Sequence, residues 1–149
     1  CRWNPPLRAE RCALGGLTWR LKTFSDPQRR QVDVAPQTTN LHDILSRPGP
    51  GRSLLRRGTP FQRQIWGVYA QITKYRLDST GSVRLVLYDD NAYMNAVIPS
   101  PDCLSSKTRN RGAIAAAWRA TARASLGSAS SNVELIALLL SSGRHDCAD

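Results

Sequence analysis

The stretch Gln64-Ile-Trp-Gly-Val-Tyr-Ala-Gln-Ile-Thr-Lys-Tyr-Arg-Leu77, Asp78-Ser-Thr-Gly-Ser82, Val83-Arg-Leu-Val-Leu-Tyr88, Asp89-Asp-Asn91, Ala92-Tyr-Met-Asn-Ala-Val-Ile98 decides how this chain folds. Apolar and polar residues alternate through it, the period of strands with one buried face. Two turn signals break it. Asp78–Ser82 is one, and Asp89-Asp90-Asn91, a composition that tolerates positive φ, is the other. Three strands are expected, about Ile65–Leu77, Val83–Tyr88 and Ala92–Ile98, with Val83, Leu85 and Leu87 on one face. Pro99 and Pro101 close the run just before Cys103.

Working outward, Asn110–Leu126 is alanine-rich and predicts the principal helix, stopped by Gly127. Ser128–Asn132 reads as a connector and Val133–Leu140 as a buried closing strand. Upstream, Leu17, Trp19 and Leu21 alternate with Thr18, Arg20 and Lys22, which predicts a half-buried strand. Val32–Val34 is a short strand stopped by Pro36. Thr38–Leu45 reads as one or two helical turns, capped by Thr39 or Asn40, with Asp43 in the first turn. Arg47–Pro60, rich in proline, glycine and arginine, is a long surface loop.

These elements define an α+β domain: a mostly antiparallel sheet, expected to be a partly open five-stranded, OB-like barrel with one main helix. A basic arm (1–14) precedes the domain (15–141), and a polar tail (142–149) follows. The 149 residues, 41% apolar, suit one domain with a packed core. No run approaches the roughly 18 apolar residues of a membrane span.

The net charge is +10. Only Lys22, Lys74 and Lys107 are lysines, so most of the excess is arginine, which suits bidentate contacts to carboxylate or phosphate. Such a surface favours nucleic acid, acidic polysaccharide, anionic lipid or an acidic protein. The 4 cysteines, Cys1, Cys12, Cys103 and Cys147, form no CxxC pair, which argues against a zinc ribbon. An even, scattered set fits two disulfides in an oxidising compartment, and the residues alone leave three pairings open. The chain opens without a signal peptide, so it is expected as the mature form of an exported protein (periplasm, cell surface or extracellular). An acylated Cys1 is the lipid-anchored alternative.

In this order of elements the chain resembles a group of bacterial secreted proteins of unknown function. The resemblance rests on Cys12, Trp19-Arg20-Leu21-Lys22-Thr23, Asp26, Thr38-Thr39, Tyr75-Arg76-Leu77, Leu85-Val86-Leu87, Met94 and Pro99-Ser100-Pro101-Asp102-Cys103. It implies a Cys12–Cys103 disulfide, which leaves Cys1 and Cys147 to join the termini. The group's acidic turn ending in tyrosine-histidine is replaced here by Asp78–Arg84, with one acid and no histidine. Its histidine-glycine-glutamine segment is replaced by Ala124–Ser131.

No motif fixes a reaction. His42 and His145 are far apart, and His145-Asp146-Cys147 in a tail is a solvated sequence rather than a metal centre, so no metal or cofactor is expected. A cysteine nucleophile needs a free thiol, which paired cysteines do not supply. Asp78, Asp89, Asp90 and Asp102 sit at strand ends, where a metal-dependent nuclease would place acids, but Asp89-Asp90-Asn91 is explained by its turn. The expected function is therefore non-enzymatic: an exported binding or assembly protein. Its arginine-rich elements would meet an acidic protein partner through Arg52, Arg56, Arg57, Arg63, Arg119 and Arg123. The alternative is an OB-like binder of single-stranded nucleic acid, using Tyr69, Tyr75, Tyr88 and Tyr93 with Lys74, Arg76 and Arg84. Against that, residue parity puts Tyr69 and Tyr75 on the face of Ile65 and Leu77, which reads as core. Trp66 and Trp118 read as core anchors too.

Overall fold

Five strands build one sheet around the long strand that the alternating stretch predicts. In the computed structural model, which describes residues 12, 18–48, 56–124 and 132–137, a helical turn α1 (Trp19–Lys22) precedes β1 (Asp33–Thr39) and the short helix α2 (Leu41–Leu45). Then come β2 (Gln64–Leu77), β3 (Val83–Asp89), β4 (Ala92–Ile98), the helix α3 (Arg111–Ala124) and β5 (Asn132–Ala137). Apart from Cys12, the arm lies outside the described residues, as do the polar tail, Arg52, Cys147 and the C-terminal end of the expected closing strand.

Strand β2 pairs with β1 in parallel and with β3 and β5 antiparallel, and β3 pairs antiparallel with β4. Trp66, Gly67 and Val68 have β1 on one side and β5 on the other, while Gln71 faces Tyr88 and Asn132. A strand has two edges, so β1 and β3 lie end to end along one edge of β2, and β5 takes the opposite one. The α+β class and small, mostly antiparallel sheet are as the sequence predicts. The sheet is not closed: among the described residues no ladder joins β4 to β1 or β5.

The hairpin between β3 and β4 forms where the acidic turn predicts it. Asp90 and Asn91 take φ of 41° and 62°, the left-handed pair of a two-residue turn matching strand twist. Asn and Asp visit this region routinely; a β-branched residue does not. Asn91→Val is therefore expected to lower stability by about 1–2 kcal/mol, read as a shift in the urea midpoint at unchanged slope. The short helix is also as expected: the Asn40 side chain accepts a hydrogen bond from the Asp43 amide at 2.8 Å, closing one of the amides that a helix start leaves open.

The main core lies on one face of the sheet. Val68, Ala70, Val83, Leu85, Leu87, Ala92 and Ile98 meet Leu41 and Ile44 of α2, with Ile114 and Trp118 of α3 packed against them. Trp66 and Trp118 pack against the core with their N–H groups satisfied: Trp66 Nε1 donates to Phe61 O and Trp118 Nε1 to Gly81 O, each at 2.9 Å. A second cluster, Phe24, Val32 and Ile65, also touches Ile114.

Three expectations fail, each for a local reason. The half-buried strand at Leu17–Thr23 is instead the turn α1, whose amides fold back: Leu21 and Lys22 N–H donate to Thr18 O, and Thr23 to Trp19 O. Over so short a span, Leu21 inward and Arg20 outward fits one helical turn as well as a strand. Phe24, at φ 53° and fully buried, ends it. Strand β1 is not stopped by Pro36 but runs through it. It is an edge strand whose register slips between Asp33 and Gln37, where a missing N–H is tolerated.

The third failure concerns the tyrosines. Tyr69, Tyr75 and Leu77 are 65%, 48% and 61% exposed, not core. Ile65 faces the second cluster, whereas Val68 and Ala70 face the main one. An irregularity between Ile72 and Lys74 then shifts the register again. One parity rule cannot span such a strand.

Candidate functional site

The outer face of β2–β4, away from the main core, carries exposed aromatic and cationic side chains. Val83, Leu85 and Leu87 point inward, so Arg84, Val86 and Tyr88 point outward. Cross-strand pairing fixes their neighbours. Tyr88 stands opposite Tyr93 and Gln71, Val86 opposite Asn95 and Lys74, and Arg84 opposite Val97 and Arg76. Tyr69, two residues before Gln71, extends the row. The Tyr88 and Tyr93 rings pair at 4.8 Å between centroids, tilted by 45°, and Tyr93 remains 61% exposed.

One end of this face is cationic. Arg84 Nε donates to Asp78 Oδ2 at 2.9 Å. Lys74 and Arg76 have no ion-pair partner among the described residues, and both are exposed. Asp78 is already occupied: its Oδ1 accepts hydrogen bonds from the amides of Thr80 and Ser82 and from the Thr80 hydroxyl. Burial pushes the Asp78 carboxyl upward, but the Thr80, Arg84 and Ser82 bonds outweigh it and hold it below the usual carboxylate range. Its stabilising contribution is thus complete above that range and lost as pH falls through the lower folded value. Lys22, from α1, senses the same cluster. Burial first, and then the Arg84 guanidinium, lower its pKa, with Asp78 acting the other way.

The arginines expected to make contacts have different fates. Arg56, Arg119 and Arg123 are exposed and Arg63 is half-buried. Arg119 Nε donates to Ala115 O of its own helix, and Arg63 Nε to Arg57 O. Arg57 is a correction: at 2% exposure it is an interior residue, not a contact residue. Its guanidinium bonds Asp26 through Nε (3.3 and 3.1 Å) and Nη2 (2.9 Å), and reaches Gln62 O (3.2 Å) and Leu21 O (3.3 Å). It also lies over the Phe24 ring, 5.1 Å from the centroid. Arg109 approaches the same ring at 5.8 Å and donates to Arg29 O and Val32 O. These two arginines tie the segment before β1 to the rest of the fold. Nothing in the sequence near Arg57 points to Asp26, 31 residues upstream.

Cys12 and Cys103 are disulfide-bonded, the pairing that the resemblance implies. The bond lines a shallow cavity of about 170 Å³ with Leu77, Thr80, Gly81, Ser100, Asp102 and Trp118. No group of three or more His, Cys, Asp or Glu side chains converges among the described residues. His42 makes a hydrogen bond with Asp90 O at 2.6 Å through Nε2, and no helix is long and apolar enough to cross a membrane.

The fold and face define a disulfide-linked α+β protein with exposed cationic and aromatic side chains on its sheet. No protein-family model, curated protein or solved structure matches the chain.

Proposed function

We propose that this chain is an exported, non-enzymatic binding protein that holds an acidic partner. The outer sheet face is its principal contact surface, and Arg56, Arg119 and Arg123 are accessory cations. The observation that carries this reading is the unneutralised charge of exposed Lys74 and Arg76 beside Arg84 on the outer face of the sheet. Export is supported by the Cys12–Cys103 bond, which persists in oxidising compartments. An OB-like reading of the open sheet is supported by the long β2, which serves β1, β3 and β5 at once. A non-enzymatic role is supported by the engagement of the acids: Asp33 and Asp78 hold local backbone amides, Asp43 holds Asn40, and Asp26 holds Arg57.

The test is retention on a sulfated polysaccharide column. The Lys74→Glu/Arg76→Glu variant should elute at clearly lower salt than the parent, with an unchanged circular dichroism spectrum, because both residues are exposed. Elution at the parent's salt would remove the sheet face from the contact surface.

A further inference from the structure

Resting on that reading, we infer that the acidic partner of the sheet face is a single-stranded nucleic acid. Tyr69, Tyr88 and Tyr93 stack on bases, and Lys74, Arg76 and Arg84 hold phosphates. Beside the cations stands a row of tyrosine rings, two of them more than 60% exposed. Every base offers a flat π-face to such rings. In a duplex those faces are stacked inside, so the rings have no base face to stack on there.

The layout separates the two chemistries. Arg84 lies four residues from Tyr88 along β3, about 13 Å at strand rise, with Lys74 one pair nearer to the tyrosines. Arg76 and Arg84 stand directly opposite each other, an unfavourable like-charge pair that Asp78 relieves on the Arg84 side alone. An anion seated between them removes that repulsion. At the other end, Asp89 and Asp90 in the hairpin turn disfavour phosphate, so bases rather than backbone meet the rings there.

The experiment uses the full chain, a fluorescein-labelled oligothymidylate, a duplex of equal length and a sulfated polysaccharide, read by anisotropy. The single strand should bind, and its affinity should fall about 20-fold between 50 and 200 mM salt if three cations release counterions. Tyr69→Ala and Tyr93→Ala should each weaken binding by about 10-fold or more, whereas Tyr93→Phe keeps the ring and the affinity. Thermal midpoints matching the parent confirm that the variants are folded. Tyrosine variants that bind like the parent, or a duplex that binds as tightly as the single strand, overturn the inference. Retention on the polysaccharide through Lys74 and Arg76 without oligonucleotide binding overturns it too, but leaves the acidic-partner reading standing. Loss of both overturns both.

Discussion

Replacing Arg57 with alanine should cost about 3–5 kcal/mol of stability, the usual penalty for removing one partner of a buried ion pair. The reason is in the geometry. Asp26 is as buried as Arg57, at 2% exposure. Without the guanidinium, Asp26 keeps only its hydrogen bond from the Gln28 amide at 3.0 Å. The Leu21 and Gln62 carbonyls each lose a donor, and Phe24 loses the cation above its ring. In a chain of this size the melting temperature should fall by roughly 10 °C or more. Arg57→Glu should be worse, because it sets two carboxylates together in the interior. Arg56→Glu, at an exposed neighbouring site, should leave the midpoint nearly unchanged. A melting curve for Arg57→Ala that overlays the parent's would show that the pair contributes nothing.

The second large effect concerns the disulfide. Cys12 and Cys103 are separated by 91 residues, so the bond closes a long loop in the unfolded chain. The loop-entropy relation assigns such closure about 4–5 kcal/mol. Cys12→Ser/Cys103→Ser should therefore melt roughly 10 °C below the parent. The double substitution avoids leaving a single reactive thiol. Reduction of the parent should lower its midpoint by at least as much. Equal melting temperatures for parent and double variant would mean that the ends of this loop are already held together by packing alone.

How much of this fold the sequence disclosed depended on the range of the forces involved. The β3–β4 hairpin was legible because Asp89-Asp90-Asn91 and the Val83, Leu85, Leu87 alternation are local signals that agree with each other. The Asn40 cap and the α3 helix were legible for the same reason. Arg57 was not. Arginine in a proline- and glycine-rich loop is normally solvated, and the aspartate that draws it inward is distant in sequence. Tyr69 and Tyr75 were misassigned because a two-residue period holds only while the strand keeps its register, and β2 changes both partner and register along its length. Of the proposed site, the residue types were visible in the sequence. Their gathering on one face required knowing which way β3 points.

The sharing of one β2 edge between β1 and β3 also bears on how the chain assembles. The β2–β3 and β3–β4 ladders join segments close in sequence and need only short closures to form. Among the described residues, strands β1 and β5 pair only with β2. They come from either side of the meander in sequence, and each must close a longer loop to reach β2. By loop-closure entropy the meander is thus expected to serve as a template on which these two more distant strands dock later than the hairpins form.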